Sequence, residues 1–258
     1  MRLADQTALV TGASRGIGRA IALALAKEGA NLAVTGRDQT ELAELKKEIE
    51  ALGRACMTSA FDLSDLPAAE GFYEQAEHTF GGVHILVNNA GVGSSANPKP
   101  VVAFDNDFWD YTLLVNLTAP YRLCRCAVQH MIPRKYGRII NIASVAGKTG
   151  SFHGAAYAAS KHGLLGLTRS LAMEVVVHGI TVNAVCPGVV KSRMNDKRLT
   201  YDANRLGRSF ADVEAGSTPL GRRITPEEIA HFALSLALPE ASAATGQAFV
   251  VDGGAMNS

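Results

Sequence analysis

The strongest constraint on the fold is a glycine-rich stretch near the N-terminus, Thr11-Gly12-Ala13-Ser14-Arg15-Gly16-Ile17-Gly18. It follows a short apolar run, Thr7 to Val10, and leads into Ile17, Ala20, Ile21, Ala24 and Leu25 at helical spacing, so the order is strand, turn, helix. In that position successive backbone N–H groups and the positive end of the helix dipole can face an anion, and glycine lets it approach closely. An ordinary turn is the plainer reading. The spacing departs from GxGxxG, and the strand-loop-helix context is what favours a pyrophosphate.

The same alternation runs on down the chain. Asn31 to Thr35 reads as a second strand, followed by Leu42, Leu45, Ile49 and Leu52 at helical spacing up to Gly53, a predicted C-cap. Further strands are predicted at Ala55 to Ala60, Val83 to Asn88, Arg138 to Ala143, Thr181 to Val185 and Ala248 to Val251, with helical patterns between them. This predicts an α/β fold, a doubly wound parallel sheet with helices on both faces. A length of 258 residues suits a single domain, 1–258. Residues 189–223 interrupt the rhythm: they are polar, lack a strong period and contain Gly207, Gly216 and Pro219. A loop of that length predicts a substrate lid.

Composition narrows the function classes. Lys and Arg number 25 against 24 Asp and Glu, so no overall field draws nucleic acid or an anionic membrane. Cys56, Cys124, Cys126 and Cys186 form no CxxC pair and have no histidine at zinc-ligand spacing, which predicts reduced thiols and no metal. The N-terminal residues enter a strand at once and no apolar run approaches a membrane span, so the expected location is the cytoplasm.

Tyr157 and Lys161 stand four residues apart, which on a helix puts the ammonium on the same face as the phenol. A cation there favours the phenolate and fits Tyr157 for proton transfer. An isolated Tyr-Lys pair is commonplace. Here Ser144 ends a predicted strand thirteen residues earlier, at the carboxyl edge where doubly wound sheets bind ligands. Gly36 and Arg37 lie at the end of the second strand, and with Arg15 they suit a 2′-phosphate better than a bare ribose diol. Asp38 argues for the diol, but with Glu41 three residues later it also fits a helix cap, the preferred reading.

Together the TGxxxGIG loop, Asn88-Asn89-Ala90-Gly91, Ser144 and the YxxxK pair resemble the short-chain dehydrogenases/reductases from Thr7 to Gly254. That resemblance implies hydride transfer between a nicotinamide cofactor, with NADP(H) favoured over NAD(H), and a ketone or secondary alcohol. It implies a catalytic set of Asn116, Ser144, Tyr157 and Lys161, with Lys161 also holding the nicotinamide ribose. Implied cofactor contacts are Gly12, Ser14, Arg15, Gly16, Ile17, Gly18 and Arg37, then Asp62, Leu63, Asn89, Ala90 and Gly91, and finally Pro187, Gly188, Val190 and Ser192. Phe152, His153, Val189 and Met194 are the implied substrate wall, although an unsupported histidine near a loop is more often structural. The terminal strand is similar to one that often sits in a tetramer interface.

The segment from Gly150 to Tyr157 is similar to polyketide ketoreductases and 3-oxoacyl carrier reductases. Gln129 and Met173, where carrier-docking arginines are expected, weigh against a carrier-protein partner. An NAD-linked secondary alcohol or 3-hydroxy acid dehydrogenase is the alternative. A non-catalytic dinucleotide-binding protein is the reading from another class, since fold alone does not establish chemistry; an extended-family epimerase would need a different loop and a larger substrate domain.

Overall fold

Strands that are apolar without alternation need cover on both faces, and the first strand, β1 (Thr7–Thr11), is buried along its whole length. Its neighbours are β2 (Asn31–Gly36) and β4 (Ile85–Asn88), with β3 (Cys56–Ala60) beyond β2. On the other side follow β5 (Gly137–Ile142), β6 (Ile180–Pro187) and β7 (Ala248–Val251). The order is β3-β2-β1-β4-β5-β6-β7 and every pairing is parallel. The computed structural model describes residues 1–256.

Helices α1 (Gly16–Lys27), α2 (Gln39–Ala51) and α9 (Pro226–Ala237) cover one face, where Ala8 and Val10 of β1 pack among Ile21, Leu45 and Ile229. Leu9 points the other way, into a cluster with α3 (Leu66–Phe80) and α5 (Ala119–Arg134). Each fully buried leucine contributes about 1.5–3 kcal/mol, so reversing the register of β1 would forfeit both layers. Helix α4 (Asn106–Leu113) runs through a π-turn, Leu114–Thr118, into α5, and α6 (Ala155–Val175) packs beside β6.

The predicted strands are all present, with ends moved by one or two residues. β4 begins at Ile85 because the Val83 amide is taken by the Glu77 carboxylate at 2.7 Å. Gly53 has φ of +73° and closes α2 as expected: its amide bonds the Glu50 carbonyl, and that of Arg54 bonds Ile49. The larger difference is in 189–223, which is not an irregular loop. It holds α7 (Arg193–Leu206) and α8 (Phe210–Ala215). Only Leu199 and Ala203 of α7 are buried, an apolar stripe too narrow to show as a period.

All four cysteines are buried and free. No helix among the described residues is long and apolar enough to cross a membrane.

Candidate active site

Between β1 and β4 the chain turns from one half of the sheet to the other, and the strand ends there open into a ligand crevice. The carboxyl ends of β1, β2, β4, β5 and β6 all border one cleft of about 1450 Å³. Drug-sized pockets fill roughly 300–1,000 Å³, so this one has room for a dinucleotide and a second small molecule.

The glycine-rich turn forms its floor. Gly12 and Gly16 have φ of +66° and +57°, a conformation that favours glycine. A Cβ on Gly12 would come within 2.7 Å of the Ala90 Cα, and one on Gly18 within 2.4 Å of the Gly12 carbonyl oxygen. At Gly16 a Cβ would meet nothing within 4 Å. Gly12 and Gly18 thus let the chain close on itself, while Gly16 leaves open space at the start of α1, a helix with no side-chain cap. Gly18 consequently faces Asn89 and not the cleft. The turn is tied to β4: the Thr11 hydroxyl accepts from the amides of Asn89 and Ala90 at 3.0 Å, and the Asn89 side chain donates to the carbonyls of Thr11 and Gly12 at 2.9 and 3.0 Å. An uncapped helix start beside empty space fits a pyrophosphate.

At the adenosine end predicted from the sequence, Ser14, Arg15, Ile17, Arg37, Asp62 and Leu63 line the cleft together. Arg37 is exposed and reaches the Asp62 carboxylate at 3.5 Å. Asp62 also accepts from the Tyr111 hydroxyl at 2.9 Å and the Ser64 amide; burial raises its pKa, and the hydrogen bonds together with Arg37 outweigh that and hold it below the ordinary value. Asp38 caps α2 by accepting from the Glu41 amide at 3.0 Å. Glu41 does not close the reciprocal half of a capping box; its carboxylate instead meets Arg15 at 3.6 Å and Arg193 at 3.2 Å.

Ser144 and Tyr157 line the middle of the cleft, with Lys161 beneath. Ser144 caps the turn after β5, its oxygen accepting from the Ala146 amide at 3.1 Å, which leaves its proton free to donate. Lys161 is almost wholly buried one turn after Tyr157 on α6, and its ammonium lies 5.8 Å from the Tyr157 ring centre. It donates to the Ile142 carbonyl at 2.8 Å, not to the phenol. The expectation that Lys161 depresses the phenol pKa is therefore corrected for the chain alone. Burial pushes Tyr157 up, with the Ser144 hydroxyl pulling the other way, and burial pushes Lys161 down to about 8.

Asn116 does not reach the cleft surface. It sits fully buried in the π-turn, accepts from the Val92 amide at 2.7 Å, and donates to the Val92 carbonyl and to Ser160 Oγ at 2.9 and 3.0 Å. Its side chain fixes the loop that passes from Asn89, Ala90 and Gly91 over the cleft. Gly91 lies against it, with space for a Cβ only 3.2 Å from Asn116 Oδ1.

On the far side Pro187, Gly188, Val189, Val190, Ser192 and Met194 all border the cleft. Val190 is nonetheless a core residue, pairing with Ile224. Ser192 caps α7 by accepting from the Asn195 amide at 3.3 Å. Met194 is half-exposed over Gly93, and its carbonyl accepts from Ser95 at 2.9 Å. Phe152 lines the cleft, but His153 does not: its Nδ1 pairs with the Tyr201 hydroxyl at 2.5 Å, and its ring stacks on Phe152 at 4.0 Å. The histidine joins the loop before α6 to α7, the structural role the sequence reading had kept open. Arg193, Tyr111 and Glu41's ionic role were not read from the sequence: Glu41 read only as part of a cap and Arg193 only as part of a lid, and Tyr111 lies in α4, for which no site signal was read.

A model of the short chain dehydrogenase family matches residues 6–202. A D-beta-hydroxybutyrate dehydrogenase of Cupriavidus necator is 35% identical, over 98% of this chain and 98% of its own length. A 3-oxoacyl-(acyl-carrier-protein) reductase of Vibrio harveyi is 37% identical over the same shares, 98% and 98%. Among solved structures, an actinorhodin polyketide ketoreductase variant with NADPH superposes with a TM-score of 0.92 at 35% identity, covering 98% of each chain.

Proposed function

The chain belongs to the short-chain dehydrogenase family, and from that premise we propose that it is an NADP(H)-linked ketoreductase in which Tyr157 gives the proton. As an oxidoreductase of this family it works between ketone and alcohol with a nicotinamide dinucleotide. The observation that carries the reading is the cleft itself: Tyr157, the free proton of Ser144 and the open floor at Gly16 share one crevice.

A carbonyl oxygen between Ser144 and Tyr157 accepts two hydrogen bonds. The nicotinamide, when bound, supplies hydride to the carbon. Tyr157 passes its proton to the oxygen, and the Ser144 hydroxyl, which pulls the phenol pKa down, eases the loss of that proton. A phenol whose pKa burial keeps high is protonated at neutral pH, ready for reduction. Oxidation of an alcohol, the direction the name of the Cupriavidus relative suggests, would run the same proton transfer backwards from phenolate. Lys161 and Ser192 suit the nicotinamide ribose and carboxamide, Gly16 and Ile17 the pyrophosphate, and Asp62 and Leu63 the adenine. Asn116 positions the loop at Val92.

NADP(H) is favoured because Arg15 and Arg37 border the cleft and Asp38, the acid that could take a ribose diol, is engaged at α2. A homotetramer in the cytoplasm acting on a free small molecule completes the proposal; Gln129 and Met173 still disfavour a carrier-bound substrate. A panel of ketones and alcohols, followed by nicotinamide absorbance with each cofactor, tests it. Ketone reduction with NADPH is expected. Binding of cofactor without turnover on any substrate would leave the non-catalytic reading in its place.

A further inference from the structure

Glu41 is held between two guanidinium groups that come from opposite walls of the cleft. Arg15 belongs to the glycine-rich turn and Arg193 to the first turn of α7; both border the cleft, and their Nη1 atoms lie 3.6 and 3.2 Å from the two carboxylate oxygens. Glu41 itself is mostly enclosed. Its Oε2 is buried and makes no hydrogen bond, so the carboxylate is poorly satisfied where it stands. Arg37 lies on the same rim, at the end of β2, with only a 3.5 Å contact to Asp62.

We infer that Arg193 is a specificity-determining residue for the cofactor: together with Arg15 and Arg37 it binds the 2′-phosphate of NADP(H), which takes the place of Glu41 between the two guanidinium groups. This rests on the NADP(H) reading above. The chemistry is an exchange of anions. A phosphate dianion carries more charge than a carboxylate and offers three acceptor oxygens, so two guanidinium forks already converging on one anion bind it more strongly. Glu41 lies three residues after Asp38 on the helix that starts at the rim of β2, the edge to which Gly36 and Arg37 direct a ribose. Because Arg193 opens α7, the exchange also ties the roof of the cleft to the feature that separates the two nicotinamide cofactors.

The test is a set of dissociation constants for NADPH and NADH, by fluorescence titration of the whole chain, in wild type, Arg193→Ala, Arg37→Ala and Glu41→Gln. Arg193→Ala should lower the NADPH:NADH affinity ratio by about 10-fold, the size of one charge-assisted hydrogen bond. Glu41→Gln, which leaves the shape and removes the competing charge, should raise that ratio a few-fold. A wild type that prefers NADPH, loses the preference in Arg37→Ala and keeps it in Arg193→Ala would overturn the role of Arg193 alone. Equal weakening of both cofactors by Arg193→Ala would also overturn it, since the residue would then hold a part they share. A wild type that prefers NADH would remove the NADP(H) reading itself, and the inference with it.

Discussion

The floor of the cleft and its roof are built from different forces. The floor, at β1, α1 and the carboxyl end of β4, is held by largely enclosed neutral hydrogen bonds through Thr11 and Asn89 and by Gly12 and Gly18, against which no side chain fits. The roof, α7 and α8, buries little apolar surface and is held by charges. Arg223 bonds Asp196 and Glu214 at 2.6 Å each, and Arg222 pairs with Glu228, whose pKa falls to about 2 chiefly through that hydrogen bond. Enclosed neutral contacts resist salt and pH; in the roof Arg223 is buried but its partners Asp196 and Glu214 reach solvent, as does the whole Arg222–Glu228 pair, and charges there are screened. The floor is therefore set on folding, and the roof is left adjustable.

The sharpest break would come from the chemistry, which this division assigns to the fixed part. Tyr157→Phe removes the proton donor and keeps the ring, so turnover should fall by about 10²- to 10⁴-fold while affinity for the nicotinamide cofactor stays near wild type. Single-turnover absorbance and titration measure the two separately; a kcat close to wild type would remove Tyr157 from the mechanism.

Lys161 sharpens the same point through pH. Its pKa in the folded chain is about 8 against an ordinary 10.5, so between those values the unfolded chain binds the extra proton and stability rises with pH. Below about 8 both states are protonated and the burial cost is present in full. Lys161→Met should flatten that rise, by up to about 3 kcal/mol, and abolish turnover. Chemical denaturation at pH 7 and pH 10 gives the comparison, and equal pH slopes in both proteins would contradict it.

A matched pair of glycines compares the two regions directly. Gly12 and Gly207 have nearly the same φ, +66° and +62°, but only Gly12 is crowded. Gly207→Ala should cost about 1 kcal/mol for backbone strain. Gly12→Ala should cost about 3 kcal/mol or more, because the collision with Ala90 adds to that strain, and cofactor binding should be lost with it. Similar melting temperatures for the two variants would mean that the floor yields as easily as the roof.

The smallest expected effect is in the roof alone. Arg223→Gln should loosen α7 and α8 by about 1 kcal/mol, read as roughly fivefold faster amide exchange there with no change at β1 and α1. Exchange that rises equally in both would show them to be one cooperative unit.

The division also explains what could be read from the sequence. The strands' places along the chain and the floor follow from apolar runs and glycines, which act locally and leave a pattern; the order β3-β2-β1-β4-β5-β6-β7 joins distant segments and was not read. The pairing of Tyr157, Lys161 and Ser144 was legible because one helix turn and one strand end fix their places. The roof was not, since Leu199 and Ala203 are too few to mark a period and its ties run from Arg223 back to Asp196. The direction of the Lys161 ammonium was also hidden, because the Ile142 carbonyl that receives it leaves no trace in residue type.

Asp38 carries a consequence for any change at this rim. One of its carboxylate oxygens starts α2 by accepting from the Glu41 amide, and a helix that loses such a cap loses about 1 kcal/mol, so a substitution here that alters cofactor recognition also weakens the helix. The other route, an acid at Gly36, meets Ser14 at 3.2 Å from the new Cβ and requires that neighbour to yield first. Substitutions at Asp38 and at Gly36 thus act on packing and capping as well as on whatever ribose the rim receives.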